Sequence, residues 1–300
     1  MSVDVKTAAA AAPPPEKARS QWRVVGRRFR RHRLAMAGAV VLLLLAICCF
    51  GANLIAPYPQ NQQDLLLGAV GPGSDGHLLG TDALGRDFLS ELLYAGRISL
   101  SIGLAVAVLS TIIGTLLGAL AGYLGGWVDE LIMRTVDLFL IVPAVAVLAL
   151  ALRGLGSSPG TIILVLSAIG WTSIARVARS QVVSLREKEF IEASKLLGAS
   201  TTRIIVRHML PNLAGVIAVN VSLAVAAAII VESTLSFLGF GVQPPQSSWG
   251  QLLSDAAGLL GTDQTYLLIF PGVFILVTVL CVNFIGDGLR DAFDQRARRR

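Results

Sequence analysis

Apolar residues in this chain gather into long blocks instead of alternating with polar ones. Six stretches stand out, over roughly 34–56, 99–122, 136–152, 161–174, 213–235 and 266–285. A helix of about 20 apolar residues crosses the roughly 30 Å hydrocarbon core of a bilayer. The third and fourth stretches fall short of that length, and helical extension into their polar flanks is expected to complete them. Composition agrees with the blocks. Apolar residues make up 54% of the 300 and charged residues 15%, with a mean hydropathy of +0.69. Soluble domains hold about 45–50% apolar and about 25% charged residues. A soluble enzyme, a disordered tail protein and a secreted disulfide scaffold are therefore excluded. The expected fold class is an all-α polytopic membrane protein with six transmembrane helices.

Charge sets the expected orientation. The net charge is +6 and the pI about 9.6, which in a soluble chain points to nucleic acid. Here the basic residues flank the apolar blocks, so no nucleic-acid partner is expected. Of the 25 Lys and Arg residues, 22 fall in 1–33, the second–third connection, 176–212 and the C-terminal tail. The other three are Arg86, Arg97 and Arg153. The positive-inside rule then places both termini and the 176–212 loop in the cytoplasm, and an even number of spans satisfies it. Residues 57–98 and 238–264 become external loops. Residues 1–26 read as a disordered lead containing Pro13-Pro14-Pro15. Residues 27–98 hold a basic foot, the first span and the first external loop. The foot, 27–33, is placed to touch anionic membrane lipid. Residues 99–288 form the transmembrane core and 289–300 a basic cytoplasmic tail.

Several motifs yield to plain structural readings. Cys48, Cys49 and Cys281 lie inside apolar runs, so no disulfide framework is implied. The first block is too long for a signal peptide and is expected to remain as a span. Gly71-Pro72-Gly73-Ser74-Asp75-Gly76 fits G-x-G-x-x-G but reads as a loop, and no Walker A pattern is present. His32, His77 and His208 lie outside the spans, against haem ligation or an intramembrane Ser-His protease. No catalytic, cofactor or metal site is expected in this chain. Ser110, Gly114, Gly118, Gly122 and Gly126 repeat every four residues, which stacks small residues on one helix face for close packing. Asp137 and Glu232 are the ionisable residues of the spans. An acid at the bilayer centre costs roughly 2.5–3.5 kcal/mol on insertion scales. Bundle-facing polar anchors and a proton relay are the two readings of these acids.

The 176–212 loop carries the strongest functional signal. Ser184-Leu185-Arg186-Glu187 has capping-box spacing, which predicts a helix from Ser184 through Leu197. Gly198 is placed to end it in a left-handed conformation. Ser200 is placed to cap a second short helix that stops before Pro211. Phe190, Ala193, Ser194 and Leu197 recur on one side at i, i+3, i+4 and i+7. A surface amphipathic helix and a docking helix for a partner groove both fit this pattern.

Glu192-Ala193-Ser194, three residues, Gly198 and then Leu210-Pro211 resembles the Glu-Ala-Ala loop of ABC importer permeases, with Ser194 in place of the second alanine. Other segments narrow the resemblance to C-type subunits of the dipeptide/oligopeptide (peptide/nickel) importer family. These include the basic run from Arg27 to Gly38, Leu79-Gly80-Thr81-Asp82-Ala83-Leu84-Gly85-Arg86-Asp87, and Gly125-Gly126-Trp127-Val128-Asp129-Glu130 with Met133-Arg134 and Asp137. Leu235-Ser236-Phe237-Leu238-Gly239, Gln243-Pro244-Pro245, Ser248-Trp249-Gly250 and Gly286-Asp287-Gly288-Leu289-Arg290-Asp291 complete the set, which spans 27–296. The family usually ends the last motif Asp-Pro, where this chain has Asp294-Gln295. The resemblance implies a type I importer with a second homologous permease, two ATPase subunits or domains that bind ATP and Mg, and an extracytoplasmic substrate-binding protein. It implies that Phe190, Glu192, Ala193, Ser194, Leu197, Gly198, Leu210 and Pro211 couple the permease to the ATPases. Dipeptides, oligopeptides, glutathione or nickel are the cargo of such relatives, with peptide the expectation here. The external loops are expected either to receive the binding protein or to brace the partner permease. The alternative function is an ATP-independent secondary transporter or channel subunit.

Overall fold

The computed structural model describes residues 21–293; the expected lead over 1–20 and the tail beyond 293 lie outside the described residues. In lipid, backbone polar groups have to be paired within the segment itself, which favours helices. The described residues accordingly form helices and turns, with two isolated bridges in one loop, Ser74 with His77 and Thr81 with Asp87.

α1 (Gln21–Arg31) and α2 (Arg33–Phe50) meet at His32, whose Nδ1 accepts from the Ala35 amide at 3.1 Å and caps α2. Residues 21–26, expected in the disordered lead, are therefore helical. Gly51 interrupts the first span before a single turn, α3 (Ala52–Ile55). α4 (Phe88–Leu124) begins earlier than expected, because the Asp87 carboxylate accepts from the Ser90 amide at 2.8 Å. The loop expected to be external thus ends at Asp87, and residues 88–98 belong to α4. The third crossing is the clearest correction. α5 (Gly126–Ile141) and α6 (Ala144–Leu155) are bent by 89° across Val142 and Pro143. Proline lacks the amide that would continue the helix, and the residue before it is pushed to extended backbone. α7 (Pro159–Arg186) extends the short fourth stretch in both directions, with Ser158 as cap and Pro159 in its first turn.

Beyond α7 come α8 (Glu189–Leu196), α9 (Thr201–Ile204), a π-helical turn (Ile205–Met209) and α10 (Leu210–Asn212). α11 (Ala214–Phe237) is the fifth span. α12 (Trp249–Asp255) and a 3-10 turn (Ala257–Leu259) occupy the expected second external loop. α13 (Tyr266–Phe293) absorbs residues 289–293, which were expected in the tail. Among the described residues five helices are long and apolar enough to cross a membrane, and the bent pair makes up to a sixth.

α4 and α7 form the axis of the bundle. A Cβ on Gly114 would lie 2.6 Å from the Trp171 carbonyl oxygen, and one on Gly122 would lie 2.8 Å from that of Arg179; Gly118 faces Ala175 and Ala178 in between. Backbones this close need residues without side chains, as the four-residue repeat predicted. Ser110 continues the row against Gly170, whereas Gly126 lies past the helix end with open space around it. The paired numbers rise together along both helices, so α4 and α7 are parallel. The chain between them has to return from one face to the other, and the bent α5–α6 pair makes that crossing.

The remaining spans pack around this axis. Gly38 of α2 lies against the Cys281 backbone of α13, and Gly288 against Ala35 and the Phe29 ring. The N-terminal basic motif and the C-terminal glycine motif, far apart in sequence, therefore touch, with His32 Nε2 3.5 Å from Asp291. On the opposite face, Trp249 is fully buried: its Nε1 donates to the Leu92 carbonyl at 2.9 Å, and its amide donates to Ser99 Oγ at 3.1 Å. Ser247, Ser248, Trp249 and Gly250 thus brace their own chain, and only residues 243–246 of that stretch remain exposed. Tyr266 ties down the loop between α3 and α4, its hydroxyl donating to the Val70 carbonyl at 2.8 Å and lying beside that of Thr81. Many large apolar side chains, such as Leu43, Leu44 and Leu150, point outward. That arrangement suits a surface solvated by lipid.

Gly114→Leu forces a side chain into the Trp171 carbonyl, and overpacking of this kind costs about 1–3 kcal/mol. The variant is expected to melt earlier in detergent, whereas Gly154→Ala, with nothing within 4 Å of its Cβ position, is expected to melt like the parent.

Candidate coupling site

The expected docking element forms as a separate helix, but it starts later than the Ser184 capping box predicted. Ser184 sits in the last turn of α7, and Glu187 closes that helix. Glu189 starts α8 after Lys188, which makes no side-chain cap. The reason is tertiary: α7 stays helical as long as it can pack against α4, through Val182 against Gly122. Two residues separate the end of α7 from the start of α8, so the two helices are joined with little slack.

The end of α8 follows the sequence reading closely. Gly198 has φ +77°, and its amide donates to the Lys195 carbonyl at 2.9 Å while Ala199 donates to Ser194 at 3.1 Å. These are the two hydrogen bonds of a Schellman cap. Nothing lies within 4 Å of a Cβ placed on Gly198, so the backbone angle and not space calls for glycine. Ser200 caps α9 through the Arg203 amide at 3.4 Å. The second helix does not stop before Pro211. The wider π turn over Ile205–Met209 precedes α10, and Pro211 falls in the first turn of α10, where its missing amide breaks no bond of a long helix.

One residue anchors α8. Ile191 is fully buried with Ala119 of α4, Val182 of α7, Ile204, Ile205, Met209 and Leu213, and Leu210 packs at the edge of this cluster. Sequence reasoning missed Ile191. The signal was the apolar set Ile204, Ile205, Met209 and Leu213 downstream, which needed an apolar partner from α8. The i, i+3, i+4, i+7 row that was read as one side is not the buried side. Phe190, Ala193 and Leu197 are exposed and Ser194 is half-buried. The Ser194 hydroxyl donates back to the Phe190 carbonyl at 2.7 Å, and the Phe190 ring lies 6.5 Å from that of His208. Glu192 is exposed in the first turn of α8, where negative charge suits the helix N-terminus. Leu196 and Leu197 are 89% and 87% exposed, an apolar surface on a helix outside the spans. Lys195 lies over the Tyr123 ring of α4 at 5.4 Å, and Arg186 donates to the Tyr123 carbonyl at 3.3 Å. Pro211 is exposed beside this element. The arrangement presents acidic and apolar groups outward on a helix fixed at its back by packing.

The two acids of the spans lie apart. Asp137 of α5 pairs with Arg176 of α7 at 2.9 Å, both half-exposed. Glu232 is buried in α11 and accepts from Ser236 at 2.8 Å, with Ser233 beside it. The Ser236 hydroxyl in turn lies 3.4 Å from that of Ser248, the cap of α12. Each carboxylate has its own local partners, Arg176 for the exposed Asp137 and serine hydroxyls for the buried Glu232. No hydrogen bond or ion pair joins them among the described residues.

Residues 114–299 match the family described as "Binding-protein-dependent transport system inner membrane component", and residues 20–69 match the "N-terminal TM domain of oligopeptide transport permease C". The chain is 43% identical to the oligopeptide transport system permease protein OppC of Escherichia coli K12 over 283 residues, covering 94% of this chain and 93% of the relative. It is 40% identical to the dipeptide transport system permease protein DppC of Bacillus subtilis over 273 residues, covering 91% and 85%. OppC of Mycobacterium tuberculosis H37Rv is 40% identical over 277 residues, covering 92% and 94%. With its five long apolar helices, the bent α5–α6 pair and these relatives, the chain belongs to the family of inner membrane components of binding-protein-dependent transport systems, as a permease subunit of an ATP-driven importer and not as its ATPase.

Proposed function

We propose that this chain forms half of a peptide translocation pathway and takes its power stroke through α8. The second half is a homologous permease, two ATPase subunits supply ATP hydrolysis with Mg, and an extracytoplasmic binding protein delivers the substrate. Peptide is the cargo because relatives at 40–44% identity are named as oligopeptide and dipeptide permeases. The basic end of the bundle, with α8, faces the cytoplasm, as the concentration of Lys and Arg on that side supports.

The observation that carries the coupling reading is the two-sided character of α8. Its Ile191 is locked into the feet of α4 and α7, while Glu192, Ala193, Leu196 and Leu197 stay exposed. A groove on an ATPase that receives this exposed face moves the spans directly, because the anchor leaves α8 no independent motion. Ala193 permits close approach, Glu192 offers a charged contact, and the Gly198 turn sets the angle at which the chain leaves the groove. Leu210 and Pro211 support the far side of the element.

Glu192→Lys is expected to abolish uptake of a labelled peptide while leaving membrane insertion and the melting temperature unchanged. Gly198→Pro removes both the positive φ and the amide donor and is expected to act the same way. Normal uptake by both variants at normal expression overturns the reading. Ile191→Ala is expected to loosen the element by about 2–5 kcal/mol, the usual cost of such a core truncation. Hydrogen exchange should then rise over 187–213 and not in the spans.

A further inference from the structure

α5 is attached to its neighbours unlike any other span. Its one buried residue is Val136, in a small cluster with Trp171 and Ala175 of α7. Ile132 and Met133 pack at the edge of that cluster, the Phe139 ring meets Trp171 edge-on, and two ion pairs add to this packing. Arg179 grips Asp129 with both arms of its guanidinium, Nε to Oδ1 and Nη2 to Oδ2. Arg176, one turn earlier on α7, reaches Asp137 at 2.9 Å. A forked arginine–carboxylate contact fixes orientation as well as distance. The remaining charges nearby, Glu130 and Arg134, are 3.9 Å apart on α5 itself and highly exposed. Together with Gly126, Met133 and the Asp129–Arg179 pair they line an open cavity of about 220 Å³.

Arg179 joins three helices at one residue. Its carbonyl oxygen is the atom that Gly122 of α4 packs against, and its side chain holds α5. One further stretch along α7, Arg186 caps the end of α4 through Tyr123, and α8 follows two residues later. The other half of the bent crossing is fixed differently. α6 buries Leu148 and Leu152 against Ile162 and Leu166 at the far end of α7. The 89° elbow at Val142 and Pro143 therefore lies between a half held by apolar packing alone and a half where a small apolar cluster is joined by two ion pairs.

We propose that the Arg179–Asp129 and Arg176–Asp137 pairs are the link that carries movement of α8 and the foot of α7 into α5, so that the elbow flexes during transport. The four residues are positioning residues: they set where α5 stands relative to α7. The inference rests on the coupling role of α8 given above. Without the pairs, α5 keeps only the small apolar cluster of Val136, Ile132 and Met133 and the Phe139–Trp171 ring contact, which can slide, so α5 lags while α4, α7 and α8 move together.

The test uses the full importer in proteoliposomes, measuring peptide uptake and ATP hydrolysis on the same samples. Asp129→Arg is expected to lower peptide carried per ATP hydrolysed by about tenfold, a typical coupling magnitude. ATP hydrolysis and the melting temperature should stay near those of the parent. The swap Asp129→Arg with Arg179→Asp should restore most of the lost coupling, and Arg179→Lys, which keeps the charge but loses the fork, should fall between. Unchanged uptake per ATP in Asp129→Arg overturns the link. So does a parallel fall of uptake, hydrolysis and melting temperature that the swap does not rescue, because that pattern marks pairs that serve the fold alone. Glu192→Lys run beside them separates the two readings. If it uncouples while Asp129→Arg does not, the α8 reading stands and this link fails. If neither uncouples, both fall.

Discussion

The close parallel packing of α4 against α7 governs the rest of the molecule. Gly114, Gly118 and Gly122 bring the two backbones into contact with no side chain between them. In lipid, helices gain nothing from hiding apolar surface, so association rests on this kind of close van der Waals fit. Parallel packing has a topological consequence. The residues between the two helices have to cross back, and they do so as a bent pair because Pro143 cannot continue the helix. It also has a local consequence. The last turns of α7 are held rigidly against α4, so whatever follows them in sequence inherits a fixed position.

Polar groups are handled by a few local devices, each suited to its depth. Glu232 is enclosed by serine hydroxyls and sits under the cap of α12. Trp249 and Tyr266 spend their donors on backbone carbonyls of Leu92 and of the loop between α3 and α4. These bonds join segments distant in sequence and close the face opposite the basic end. At the basic end the acids of α5 meet arginines of α7 instead. Ion pairs there are partly solvated, so they hold position without the desolvation penalty of a buried pair. The basic end thus combines apolar packing around Ile191 with arginine–carboxylate pairs between α5 and α7.

The proposed coupling helix combines rigidity with exposure. Its anchor is one isoleucine packed among Leu213 and residues of α4, α7, α9 and the π turn, its end is set by a Schellman cap, and its outward surface is exposed. A chain with this arrangement needs no nucleotide site of its own. In the proposed reading, ATP hydrolysis lies in partner subunits and α8 carries their motion into the spans through contacts that are short in sequence.

The sequence alone determined the helical class and the order of the apolar stretches, the clustering of basic residues at their flanks, the small-residue face of α4 and the glycine turn at 198. Each of these is written in local composition or spacing: an apolar run needs lipid, a four-residue glycine repeat makes a flat helix face, and a left-handed turn calls for glycine. Residues that act through distant partners were not legible in the same way. The capping-box pattern at Ser184 was real but idle, because packing against α4 kept α7 helical past it. The row of Phe190, Ala193, Ser194 and Leu197 was correctly periodic, yet Ile191 is the buried residue, since only the assembled feet of α4 and α7 define which side of α8 is the inside. Asp137 stood out as an acid within a span and Asp129 as part of a motif, but their partners Arg176 and Arg179 were set only by the packing of α7. Periodicity tells which residues share a face; the tertiary structure alone decides what that face meets, because the meeting surface comes from other parts of the chain.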